Sequence, residues 1–357
     1  MGTHRFATNR TRAAGRCFTR RRALRSATSG LAAITLTAAG LRATPAPAQA
    51  QEATPETTLA PSPGDLVDIG GRNIYLECQG DPERGPVIVL LTGYRTSGRY
   101  WTDDLLHPVF PRHMVLPSLA KAARVCTYDR PGTYAYIAED LLTSRSDAID
   151  QPRRAADVVE ELHTLLQAAK IPGPYILAAH SLGGLFARLY AATYPDEVVG
   201  MVLVDAYSEL LENVMTPAQY AALKELNQAG GTDDVLEIDG YGEVEAFPWG
   251  GDNETVREAV AASPLRPMPL AVLSHGKPFP GTDDVPGFAP GELEELLQAG
   301  NRALAALVPN SRFWVASESG HDIHQDQPEL VTEAIQQVLE GVRSPDTWYS
   351  LESCCAE

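Results

Sequence analysis

The stretch Ala178-Ala179-His180-Ser181-Leu182-Gly183-Gly184 sets one serine among small residues, with the apolar run Tyr175–Ala179 before it and Leu185-Phe186-Ala187-Arg188-Leu189-Tyr190 after it. This pattern predicts a buried strand turning sharply into a helix, with the serine hydroxyl exposed at the turn as a nucleophile. Such a turn strains the backbone, so positions two residues away must be small, and Ala179 and Gly183 meet that need. A serine before a helix also serves as an N-cap. A cap alone requires neither the glycine pair nor the strand directly before it. Ser181 is read as the nucleophile and His180, directed elsewhere along the turn, as structural.

A serine hydroxyl is a weak nucleophile and needs a base, for which histidine has the suitable pKa. Ser319-Gly320-His321-Asp322-Ile323-His324 follows the last apolar run, and a loop there can carry His321 over Ser181, with His324 as the rival. The acid that orients the imidazole is assigned to Asp205, directly after Met201-Val202-Leu203-Val204 at the carboxyl edge of a predicted strand. Asp283 and Asp284, seven and more residues past Gly276, are the alternative. Two backbone N–H groups must meet the developing oxyanion. Leu182, at the helix start, and Tyr94, in Thr92-Gly93-Tyr94-Arg95, are the expected donors.

Other residues are read more plainly. Asp129-Arg130-Pro131-Gly132 is expected to fix a turn through an Asp–Arg interaction, and Tyr100 and Trp101 either line an acyl pocket or pack. No Cys/His spacing suggests zinc, and no glycine-rich loop after a strand suggests a dinucleotide. No metal or cofactor is expected.

These residues need a scaffold. Gly70-Gly71 between Leu66–Ile69 and Asn73–Cys78 predicts a hairpin. Apolar runs then alternate with helical stretches, the pattern of parallel strands with crossover helices. The runs are Val87–Leu91, Ala123–Tyr128, Tyr175–Ala179, Met201–Val204, Leu270–Ser274 and Phe313–Ala316, and Ala155–Ala169 has helical spacing. The sum is an α/β fold with a doubly wound, mostly parallel sheet of eight strands. Residues 206–267 break the rhythm with helix-prone Pro217–Gln228 and Glu254–Ala262, and are read as a small helical cap, because long structureless connections are uncommon.

Composition bounds what the chain meets. The net charge is −17, yet residues 1–50 hold nine Arg and no acid, so the rest carries 20 basic side chains against 46 acidic ones. A chain of that sign does not neutralise phosphates, which argues against nucleic acid as partner. Thr19-Arg20-Arg21-Arg22, an uncharged stretch from Ser26 to Leu41 and Ala48-Gln49-Ala50 read as a twin-arginine-like signal peptide over 1–50. The uncharged stretch is shorter than the roughly 20 residues of a bilayer span. Export to the periplasm or beyond is expected, with no stable membrane span after processing. Residues 51–63 read as a disordered linker, 64–343 as the folded domain and 344–357 as a tail. Cys78, Cys126, Cys354 and Cys355 remain after processing, and their pairing is left open.

Taken in order, the turn at 179–184, Asp129-Arg130-Pro131-Gly132, and Ser319-Gly320-His321 with Pro328-Glu329 resemble the α/β-hydrolase fold-1 superfamily over residues 64–343. The resemblance implies a serine hydrolase acting on a small-molecule acyl compound, such as a carboxylic ester, through an acyl-enzyme. The same triad also serves aminopeptidases, lactonases and cofactor-free perhydrolases, and the fold serves non-catalytic binding proteins. Two departures stand out: Thr92-Gly93 where relatives have His-Gly, and no acid soon after the seventh strand, which leads to Asp205.

Overall fold

The computed structural model describes residues 64–229, 236–279 and 285–348. The expected signal peptide and linker, Asp283, Asp284, Cys354 and Cys355 lie outside the described residues. Strands β1 (Asp65–Asp68), β2 (Asn73–Gln79) and β3 (Val87–Leu91) lead to helices α1 (Arg99–Thr102) and α2 (Val115–Leu119), then to β4 (Val125–Tyr128). The hairpin β5 (Tyr134–Ile137) and β6 (Asp140–Thr143) precedes α3 (Ala155–Ala168), β7 (Tyr175–His180), α4 (Leu182–Thr193) and β8 (Val198–Val204). Between β8 and the next sheet strand come α5 (Leu211–Val214), α6 (Pro217–Ala229), the short pair β9 (Glu237–Ile238) and β10 (Gly242–Glu243), and α7 (Trp249–Ala262). The chain continues through β11 (Leu270–His275), α8 (Glu292–Ala305), β12 (Arg312–Ala316), α9 (Ile323–Asp326), α10 (Pro328–Arg343) and α11 (Pro345–Trp348).

Eight strands form one sheet in the order β1-β2-β4-β3-β7-β8-β11-β12. The hairpin partners β1 and β2 are antiparallel, as is β2 to β4, and the other neighbours are parallel. After β3 the chain visits β4 on one side and then returns to β7 on the other. Ligand sites in open α/β sheets lie at such a reversal, beyond the carboxyl ends of the strands. Ser181 follows β7 there, and Thr92–Arg95 follows β3 beside it.

Both faces of the sheet are covered, so its strands read as continuous apolar runs. Val87, Val89 and Leu91 of β3 join one core with residues of α3, α4 and α7, while Ile88 and Leu90 join another with residues of α2 and α10. Helix α10 shows how sequence sets an element. Pro328 and Glu329 open its first turn, and buried Val331, Ile335, Val338 and Leu339 follow at helical spacing to dock on the sheet.

Four details go beyond the sequence reading. The β5–β6 hairpin is an addition to the expected elements, and helix α7 begins five residues before the expected Glu254. The residues expected to start a tail form α11, whose buried Trp348 sits in the core of α10. Cys78 and Cys126 are register partners on β2 and β4 and are joined by a disulfide, with Cα atoms 4.1 Å apart.

Candidate active site

Ser181 sits at the turn between β7 and α4 with φ 50° and ψ −125°. An L-residue pays about 1–3 kcal/mol for such a conformation and keeps it only where surroundings hold it. Here the Ser181 amide donates to Val204 O at 3.2 Å, while its carbonyl accepts from Gly184 at 2.9 Å and from Tyr207 at 2.9 Å. A side chain at Gly183 would put its Cβ 2.7 Å from Thr92 O, so only glycine lets α4 lie this close to the loop after β3. The small residue read from the sequence at Gly183 is therefore a steric requirement of the turn.

Asp205 follows β8 directly and also has positive φ, 42°, which aspartate tolerates better than most residues. Its carboxylate is 4% exposed and has donors on both oxygens. His321 Nδ1 donates to Oδ2 at 2.6 Å. On the Oδ1 side stand His275 Nδ1 at 2.6 Å and Asn301 Nδ2 at 3.0 Å. Burial raises the pKa of such a group, yet the hydrogen bonds from His275 and His321 outweigh it and hold Asp205 down at about 2. Because a carboxylate only accepts, the proton of His321 lies on Nδ1, and its Nε2 keeps a lone pair.

The structure thus brings Asp205 and His321 together and sets both, with Ser181, on the wall of one cavity of about 270 Å³. The rest of that wall is mostly apolar: Leu211, Leu223 and Leu226 come from the inserted segment, with Phe279, Leu293 and Leu297 opposite. Leu211, Leu223 and Leu293 also pack against one another in a small core of their own. Asn253 of α7 donates to the hydroxyls of Tyr207, at 2.6 Å, and Tyr220, at 2.7 Å, tying α7 to α6 and to the chain just past Asp205.

Leu182 follows Ser181 directly in the chain, and Tyr94 lies in the loop after β3, half-buried against the core that includes residues of α3 and α4. Leu182 is the first residue of α4, where amides have no acceptor within the helix. Gly93 lies so close that a Cβ there would be 2.9 Å from Ser181 Cβ. The loop is gripped from behind by Arg130, which is fully buried. Its guanidinium donates to Thr92 O at 3.0 Å and Gly93 O at 2.6 Å, and to both carboxylate oxygens of Glu245. Glu245 in turn accepts the Arg95 amide at 2.6 Å. Removing one partner of such a buried pair costs about 3–5 kcal/mol, because the other charge is left without compensation.

This corrects the expected Asp129–Arg130 interaction. The two side chains take separate partners: Asp129 receives Arg145 Nε at 2.7 Å and the Gly98 amide at 2.8 Å, while Arg130 turns to Glu245. Trp101 is fully buried in the core beside α2, its ring centroid 4.5 Å from that of His324 and tilted 41° to it, so it packs and does not line the cavity. His324, the rival base, is buried without a hydrogen bond at either ring nitrogen. Sequence reading missed His275, Asn301, Glu294 and Glu245. His275 alone left a signal, as the polar residue that ends a buried strand.

Among the described residues, His180, Asp322 and His324 have donor atoms within 4.8 Å of one another, close enough to share a cation. His180 Nε2, however, is engaged by the backbone carbonyl of His321 at 3.1 Å. That bond serves to seat the His321 loop.

The model of the alpha/beta hydrolase family matches residues 88–334, and the chain belongs to that family. An AB hydrolase superfamily protein of Gibberella zeae is 22% identical over 321 residues, covering 76% of this chain and 92% of that protein. The uncharacterized protein YqjL of Bacillus subtilis is 27% identical over 255 residues, 71% of this chain and 83% of its own length. An uncharacterized Schizosaccharomyces pombe protein is 38% identical over 164 residues, but only 29% of its length is spanned. Among solved structures, DBJA (mutant dbja delta) shares the fold with a TM-score of 0.50 at 14% identity, covering 79% of this chain and 99% of that one. No helix among the described residues is long and apolar enough to cross a membrane.

The buried histidines set a pH dependence. Burial lowers the pKa of His180 well below its ordinary value and that of His324 to about 3, helped by the nearby His321. The unfolded chain binds these protons below about pH 6.5 while the folded chain does not, so stability is full above that pH and falls as pH drops toward 3. Replacing His324 by Leu removes one of the two groups. Urea unfolding between pH 6.5 and 4 should show a shallower loss for His324→Leu by about 1 kcal/mol per pH unit. Parallel curves would contradict this account.

Proposed function

We propose that this protein is an exported serine hydrolase that cleaves carboxylic esters with an apolar acyl or alcohol group through an acyl-enzyme on Ser181. The observation that carries the reading is the strained Ser181 turn, on one cavity wall with a His321 whose proton is fixed on Nδ1 by Asp205. In the proposed reaction His321 Nε2 takes the hydroxyl proton as Ser181 Oγ attacks the ester carbonyl. The amides of Tyr94 and Leu182 donate to the resulting oxyanion, each worth about 3 kcal/mol. His321 then returns the proton to the leaving alcohol, and a water activated by the same imidazole releases the acid. Asp205 stays ionised and stabilises the imidazolium in both steps.

The leucine-rich wall supports an uncharged, apolar substrate group. An aminopeptidase needs an anion to meet the substrate ammonium. Asp205 is the one carboxylate among the described residues lining this cavity, and both its oxygens are engaged. That favours esters and lactones over amino-acyl substrates. Export through the twin-arginine route belongs to the same proposal, and the Cys78–Cys126 bond suits a compartment where disulfides persist.

Turnover of nitrophenyl esters tests the chemistry. Ser181→Ala should abolish it, and Asp205→Asn should lower kcat by about 10⁴-fold through the wrong imidazole tautomer. Asp283→Asn should leave it near wild type. Full activity in Asp205→Asn with loss in Asp283→Asn would reverse the assignment of the acid. For export, protein recovered outside the cytoplasm should begin close to Gln51, and retention of the full chain in the cytoplasm would refute that part.

A further inference from the structure

Asp205 faces a second histidine as closely as it faces His321. His275, the last residue of β11, is fully buried, and its Nδ1 lies 2.6 Å from Asp205 Oδ1. Its other nitrogen, Nε2, is hydrogen-bonded to a carboxylate oxygen of Glu294 on α8. The second oxygen of Glu294 accepts the Phe279 amide at 3.2 Å, and Gln298 donates to Glu294 from the next turn of α8. Four ionisable side chains therefore run in series, Glu294, His275, Asp205 and His321, from helix α8 to the cavity.

We infer that His275 is a positioning residue for the reaction proposed above: an imidazolium clamped between Glu294 and Asp205, it aims Asp205 at His321 and tempers the negative charge His321 experiences. The inference rests on the reading of Ser181, His321 and Asp205 as a triad. A neutral imidazole has one N–H, so placed between two carboxylates it would turn a lone pair toward one of them. Two donated bonds require both nitrogens protonated. Burial alone opposes the charge, but the hydrogen bonds and charges of Asp205 and Glu294 outweigh it and raise the pKa of His275.

The consequences are geometric and electrostatic. With Oδ1 occupied by His275 and Asn301, Asp205 is left with Oδ2 for His321, and its plane is set. The positive charge on the far side of the carboxylate offsets part of its pull on the proton of His321. Other titratable groups around the pair do not replace this charge. His180 and His324 are kept neutral by burial, Asp322 is anionic or neutral, and Lys277 is paired with Glu318 at 3.5 Å.

Two measurements on the full chain test the inference. In protein with ¹⁵N-labelled histidine, His275, assigned through His275→Asn, should show both ring nitrogens protonated at pH 8. A neutral ring there would overturn the clamp, whatever the activity. In the pH profile of kcat/KM for a nitrophenyl ester, His275→Asn keeps a donor toward Asp205 but removes the charge, and Glu294→Gln lets His275 become neutral. Both should move the midpoint of the acid limb upward by about half a pH unit to one unit. A limb that stays in place in both variants, with only kcat or stability reduced, would leave His275 a structural residue and sink the inference. Absence of turnover in the wild type would instead sink the triad reading on which it rests, so the two failures are distinguishable.

Discussion

A carboxylate removed from water must be surrounded by donors, and in this protein that requirement falls on Asp205. Its position after β8 puts it between Ser181, after β7, and His275, at the end of the neighbouring β11. Parallel strands in register bring their carboxyl ends to one edge, so three chain segments remote in sequence converge there without any special connection. The donors that make the buried charge tolerable are the same groups that define the site. His321 is one of them, and its tautomer follows from the need to satisfy Asp205. Without that carboxylate the imidazole would have no reason to present Nε2 to the cavity.

A second buried charge organises the other half of the site. Arg130 and Glu245 lie behind the loop after β3 and hold the carbonyls of Thr92 and Gly93 and the amide of Arg95, which fixes the path of that loop beside Ser181. Glu245 belongs to the segment inserted between β8 and β11. That segment therefore both walls the cavity, through Leu211, Leu223 and Leu226, and steadies the loop beside the serine. Changes in the insertion are expected to act on both.

The sequence made the local parts of this arrangement legible. The sheet strands were readable because burial on both faces leaves continuous apolar runs, and Ser181 was readable because the steric demands of its turn are written in adjacent small residues. Asp205 and His321 could be picked out by their place after strands. What stayed hidden were partners across space. Asp129 and Arg130 are neighbours in the chain, yet they point apart to Arg145 and Glu245. His275 and Glu294 acquire meaning only once β11 is laid beside β8 and α8 is folded over the strand end. The β5–β6 hairpin, with four residues per strand, was too short for its alternation to stand out. Cys78 and Cys126 fall in two separate strand-like runs of the sequence, but their pairing stayed open because their direct opposition depends on register.

The strained turn at Ser181 and the hydrogen bond between Asp205 and His321 are the features on which the proposed nucleophilic role of Ser181 rests. Treatment of the purified protein with a fluorophosphonate, followed by peptide mapping by mass spectrometry, tests it most directly. A single adduct is expected on Ser181, lost in Ser181→Ala and slowed in Asp205→Asn. An unreacted protein, or an adduct on another residue that persists in Ser181→Ala, would contradict that role.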